Sequence, residues 1–201
     1  FTSAGPENAE IALRYAKALV NLFYKQDAVE EQKSNTAQLS TLNNQWPENF
    51  EIALEYAKGL VYLSFEQDST KDCQTTVDEL KALSISWNEK PRIALEYARG
   101  LVFLSDKQEV ALARQTVGEL KRLNAQWPNN SEIVLEYVRG LFNLSNRQET
   151  AKDCQKTVEE LKVLNNQWPE NPEITLRYAK SLVHLSNRQE TAKDCQKTVE
   201  E

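Results

Sequence analysis

Four tryptophans, Trp46, Trp87, Trp127 and Trp168, stand 41, 40 and 41 residues apart in a chain of 201 residues. A period of that length marks a repeat architecture, in which each repeat is one supersecondary unit and stacked neighbours bury one another's apolar faces. Aligned on the tryptophans, the chain divides into units 6–46, 47–87, 88–127, 128–168 and a shorter 169–201. Ile11, Ile52, Ile93, Ile133 and Ile174 fall in one column, and Tyr15, Tyr56, Tyr97, Tyr137 and Tyr178 in another. Leu13, Leu19, Leu22 and Gln26 recur at equivalent places in every unit, and Leu144–Glu160 returns unchanged as Leu185–Glu201. That duplication suggests an array whose copy number has changed recently.

Each unit reads as two helices. Asn171-Pro172-Glu173-Ile174 opens the first of them: Asn caps, and Pro suits the first turn, where its missing N–H costs nothing. Ile11, Tyr15, Ala18, Leu19 and Leu22 then follow at helical spacing, and Ala12, Ala16, Val20 and Phe23 widen the apolar face. A helix apolar over most of its girth is packed on several sides. The second helix carries one stripe, Cys73, Val77, Leu80, Leu83 and Trp87, and opens on a capping-box-like pair, Ser69 with Asp72 or Thr150 with Asp153. An inner and an outer helix repeated in tandem predict an all-α fold, a right-handed α-solenoid.

Residues 53–60, Ala-Leu-Glu-Tyr-Ala-Lys-Gly-Leu, resemble the first helix of the tetratricopeptide (TPR) repeat, with Ala57 in the small-residue slot and Leu60 in the aromatic one. The proline of Trp168-Pro169 matches the one that closes such a unit. The likeness covers about residues 6–201, with a longer repeat than the family's usual one. It implies a concave groove lined by the first helices and binding a peptide or another protein.

The chemistry available is narrow. Twenty-four Lys and Arg against thirty Asp and Glu leave a formal charge of −6, which disfavours nucleic acid as a partner. No apolar run of about 18 residues exists to span a bilayer. One histidine, His184, and three scattered cysteines, Cys73, Cys154 and Cys195, argue against histidine-based metal sites, triads and any cofactor. An odd number of thiols without paired spacing suits a reducing, cytoplasmic compartment. The chain lacks Met, has no signal-peptide pattern at its start, and ends eight residues short of the equivalent of Trp168, so it reads as part of something longer.

Several columns are candidates for function. The tryptophans serve either as a stacking ladder or, more simply, as the junction between units. The cysteines share a column with Gln32 and, in an ungapped alignment, Arg114, so that column is expected to lie outside the deep core. Unit three is one residue shorter between Gln108 and Thr116 and carries Gly118 inside its second helix, which marks it as a weak point. On the polar stripe of the first helix the column of Lys17, Lys58, Arg99, Arg139 and Lys180 is basic throughout. Glu55, Glu96 and Glu136 precede three of these cations by one turn; they are expected as solvated surface pairs, or else the cations form a row that receives carboxylates or carbonyls of a bound chain. The next column, Asn21, Tyr62, Phe103, Asn143 and His184, changes chemical class from unit to unit. Tyr62 and Phe103 are expected side by side, with Phe65 extending the patch; the rings serve either as anchors for a partner or as cover for the next helix.

These features predict a non-catalytic scaffold that binds a protein or peptide through Tyr62, Phe65, Phe103, Lys58, Arg99, Arg139, Lys17 and Lys180. The alternative is a structural spacer, or an array that self-associates through its uncapped terminal repeat, within a larger sensor or signalling protein. No nucleophile–base pair or phosphate loop supports an enzyme.

Overall fold

The computed structural model describes residues 6–23, 25, 29–189, 194, 197–198 and 200. Gln26 and Cys195 lie outside the described residues, as does most of the fifth unit's second helix. Among the described residues the chain is all helix: α1 (Pro6–Phe23), α2 (Val29–Gln45), α3 (Phe50–Glu66), α4 (Thr70–Ser86), α5 (Pro91–Lys107), α6 (Val110–Gln126), α7 (Ser131–Arg147), α8 (Ala151–Gln167) and α9 (Pro172–Ser186). The helices pair as the tryptophan period predicts, two to a unit, with α9 opening the fifth.

Helix ends are fixed by the residues the sequence supplies. Asn49, Asn130 and Asn171 cap α3, α7 and α9 with their side-chain oxygens. Ser69 accepts from the Asp72 N–H at 3.3 Å, and Thr150 from that of Asp153 at 3.1 Å. Such caps stabilise a helix by about 1 kcal/mol each. Each tryptophan closes a second helix: the Trp46 N–H reaches Leu42 O at 3.0 Å, and the Asn49 N–H returns to Trp46 O at 3.0 Å. The half-buried indoles therefore stand at the turn from one unit to the next.

The chain forms two compact units, Phe1–Leu104 and Ser105–Glu201. In the first, α1 packs on α2 and α3, α2 on α3, and α3 on α4; in the second, α7 packs on α6, α8 and α9, and α8 on α9. α3 and α7 are thus each wedged between the second helices before and after them and lie against a neighbouring first helix, the stacking of an α-solenoid. Ile52, Leu54, Ala57 and Leu60 of α3 are at most 1% exposed, around several sides of the helix. The second helices bury a single stripe, Cys73, Thr76, Val77, Leu80 and Leu83 in α4.

Three glycines set the closeness of that stacking. A methyl group on Gly59, Gly100 or Gly140 would fall 2.6 Å from Cδ1 of Leu39, Leu80 or Leu120, respectively. Each leucine belongs to the second helix of the preceding unit and is fully buried. Within a unit, the two helices are joined by a buried hydrogen bond from the second helix to the recurring glutamine: Thr76 to Gln67 at 2.9 Å, Thr116 to Gln108 at 2.6 Å, Thr157 to Gln148 at 2.9 Å. Arginine adds a further tie in the second compact unit. Arg147 donates to Ser105 O at 2.7 Å and to Gln108 O, and Arg188 to Asn146 O at 2.7 Å and Gln148 O at 2.6 Å. These carbonyls end the preceding first helix and have no partner within it.

The cysteine column differs from the expectation. Cys73 and Cys154 are 0% exposed, Gln32 is 2%, and the unit-three member is Ala113, 1% exposed, in place of Arg114. The missing residue explains this. It lies between Gln108 and Glu109, ahead of α6, so counting back from Trp127 lands on Ala113, whose N–H bonds Glu109 O as that of Cys73 bonds Ser69 O. The same loss leaves α6 with no side-chain hydrogen bond at its cap.

Gly118 behaves unlike the other three glycines: nothing lies within 4 Å of the Cβ it lacks. Gly118→Ala therefore gains helix propensity at no steric cost and should raise stability by about 1 kcal/mol. Gly100→Ala forces a methyl into Leu80 and should lower it by about 1–3 kcal/mol. Thermal unfolding of the two variants checks both signs at once.

Candidate partner-binding cleft

The polar stripe of the first helices lies at consecutive turns of each helix, and α1, α3 and α5 present it to one cleft in the first compact unit. The cleft encloses about 510 Å³ and is lined by Lys17, Val20 and Asn21 of α1, Glu55, Lys58, Val61 and Tyr62 of α3, and Glu96 and Arg99 of α5. Four of the residues expected at the site, Lys17, Lys58, Arg99 and Tyr62, are therefore brought together. Val20, placed by the sequence on the framework face only, and Val61 supply the apolar wall.

The paired carboxylates are not solvated. Glu55, Glu96 and Glu136 are 4–5% exposed, a correction to the surface-pair expectation. Each accepts from the cation one turn later: Lys58 at 2.8 Å, Arg99 at 2.9 Å, Arg139 at 2.8 Å. A buried carboxylate needs such a partner, because removing one member strands a charge out of water. Lys58 and Arg99 thus hold these carboxylates while their own side chains remain 32% and 38% exposed. In α1 the place of Glu55 is taken by Arg14, which turns to Glu10 at 2.6 Å. Lys17 has no ion pair among the described residues, so the α1 end of the cleft carries the excess positive charge.

Tyr62 and Phe103, expected side by side, each take another ring as partner. Tyr62 stacks on Phe23, with ring centroids 5.6 Å apart and planes 18° from parallel. Phe103 meets Phe65 edge to face at 5.1 Å. Phe65 remains 56% exposed. Phe23 is the stacking partner the sequence placed only in the framework.

The second compact unit uses the same columns otherwise. Arg139 is held by Glu136 and also by Glu173, at 3.0 Å, and Glu173 receives Arg177 at 3.0 Å. Arg177 in turn lies over the Phe142 ring, 5.4 Å from its centroid. Arg139 holds both carboxylates while its side chain stays 37% exposed, and Lys180 is exposed. Among the described residues no group of three or more His, Cys, Asp or Glu is placed to hold a metal ion, and no helix is long and apolar enough to cross a membrane.

Burial works to raise the Glu173 pKa, but hydrogen bonds and charge from Arg177 and Arg139 outweigh it and hold the carboxyl below its ordinary value. A group whose pKa is lowered on folding adds stability above its unfolded value and loses it as pH falls through the folded one. Glu173→Gln should therefore melt below wild type at neutral pH, and the two should converge in acid, below the carboxylate range. A difference that persists there would assign the effect to packing. Compared with family models, curated proteins and solved structures, the chain matches none, and the fold assignment rests on the helix packing itself.

Proposed function

We propose that this chain is a non-catalytic interaction scaffold, working in the cytoplasm, that takes a peptide or protein segment on the first-helix face of its repeats. The observation that carries the reading is the cleft across α1, α3 and α5, where Lys17, Lys58, Arg99 and Tyr62 converge on one open volume. Cations that keep a third of their surface while paired offer donors to a partner without giving up their internal bonds. Tyr62 on Phe23 is a rigid amphipathic platform of the kind enriched at binding hot spots. The Phe65–Phe103 pair adds exposed ring surface in the same compact unit.

The test is site-specific photocrosslinking in the source cell. Benzoylphenylalanine in place of Tyr62 should trap a discrete partner, and the same probe in place of Ile85, 64% exposed on α4, should not. Equal trapping at both positions, or none, would end the proposal.

A second reading rests on α1. Ile11 and Tyr15 are 54% and 46% exposed, whereas Ile52 and Tyr56 in the same columns are 0% and 6% because they pack on the preceding second helix. Self-association would cover that face with another copy. Sedimentation should then show a concentration-dependent oligomer that Ile11→Glu abolishes; a monomer at every concentration removes this reading.

A further inference from the structure

Among the described residues α1 packs on the helices that follow it, α2 and α3, and α9 on the helices that precede it, α7 and α8. Each therefore leaves bare a face that the other buries, and the two faces are of opposite kinds. On α1 the face toward a preceding first helix is open: Ala18 is exposed, whereas Ser181 in the same column of α9 is 0% exposed. On α9 the face toward a following first helix is open: Val183 is 60% exposed, whereas Val20 in the same column of α1 is 5% exposed.

The contact between α7 and α9 shows how two such faces meet. Arg139 of α7 reaches Glu173 at 3.0 Å, and Glu173 also receives Arg177 at 3.0 Å. The Phe142 ring lies under Arg177 and beside His184, and the Ser145 hydroxyl meets that of Ser181 at 3.2 Å. Both sides of this contact recur on the bare faces. Apart from Ala12 for Thr175, Ala18 for Ser181 and Asn21 for His184, residues 10–22 of α1 are identical to residues 173–185 of α9. Arg14 stands where α3, α5 and α7 carry Glu55, Glu96 and Glu136, so α1 shares its Glu–Arg pair with α9. Glu10 holds Arg14 at 2.6 Å, but these side chains are 63% and 77% exposed, against 36% and 25% for Glu173 and Arg177. The α7 side recurs in α9 itself: Lys180, Val183 and Ser186 occupy the columns of Arg139, Phe142 and Ser145. Lys180 is exposed and makes no ion pair among the described residues.

We infer, resting on the self-association reading above, that a second copy of this chain lays its α1 along α9 and repeats between molecules the contact that joins α7 to α9 within one. Lys180 of one copy then meets Glu10 and Arg14 of the next as Arg139 meets Glu173 and Arg177. Val183 is covered by the stem of Arg14 and by Asn21, and Ala18 seats over Ser186 as Ser181 does over Ser145. The occupant is a second copy because α1 carries the residues that α9 itself uses to dock on a preceding first helix, and carries them exposed. The Lys180–Glu10 attraction sets the register, as complementary charges do at an interface. The two faces differ, so the contact is heterologous, and each added copy brings one further face of each kind.

Sedimentation velocity on the full chain tests this with Ala18→Arg, which blocks the α1 face, and Val183→Arg, which blocks the α9 face. Both sites are exposed, so both variants should melt as wild type does. Wild type should grow past a dimer as concentration rises, and each variant alone should stay monomeric. Mixed, the intact α9 of the Ala18→Arg copy should take the intact α1 of the Val183→Arg copy, and assembly should stop at a dimer. Lys180→Glu added to the first variant should weaken that dimer by about fivefold, and Glu10→Lys added to the second should restore it. Wild type monomeric at every concentration would remove self-association altogether, and this contact with it. A Val183→Arg variant that still dimerises alone would keep self-association but assign it to α1 against α1, and would overturn the contact with α9. Two monomeric variants that fail to assemble when mixed would overturn it as well.

Discussion

Everything in this array depends on how closely a first helix approaches the second helix before it. Glycine in a helix interior is unfavourable by about 1 kcal/mol relative to alanine, yet the chain places it there at the repeat period. The return is contact: with no Cβ at Gly59, Gly100 or Gly140, a leucine methyl seats against the backbone itself. That approach buries Ile52, Ile93 and Ile133 completely and brings successive first helices side by side. The Gln–Thr bonds of units two to four and the arginine ties of the second compact unit then fix the helices that the close contact has assembled.

The close packing also explains the electrostatics. When first helices lie side by side, the residue one turn before the basic column is drawn out of water, and in three units that residue is glutamate. Its negative charge survives only because a Lys or Arg one turn later donates to it. Around α3 and α5 the cations share a cleft with Tyr62. In α7 Arg139, 37% exposed, holds Glu136 and also Glu173.

The period, the two-helix unit, the caps at Asn171, Ser69 and Thr150, and the buried stripe of the second helix were all legible, because each is written in local spacing or in a residue type with a local role. What was missed depends on neighbours. A Glu followed by Lys or Arg three residues on looks the same on a solvated face as in a crowded one, so the burial of Glu55 could not be read from its own helix. The depth of the cysteine column was obscured by one deleted residue: counting forward from Gln108 gives Arg114, while counting back from Trp127 gives Ala113. The stacking of Tyr62 on Phe23 joins a variable column to a framework one, and column-by-column comparison separates the two. The glycine notches were the one long-range feature with a usable signal, since three helical glycines at the repeat period are too costly to be incidental.

The measurement that bears most directly on this account is a double-mutant cycle in thermal or denaturant unfolding between Gly100→Ala and Leu80→Ala. If the leucine fills the space of the absent side chain, the alanine that destabilises wild type will be neutral or stabilising once Leu80 has been shortened. An unchanged cost of Gly100→Ala in both backgrounds would mean that the two helices do not meet through this contact, and the explanation of the stack would fail with it.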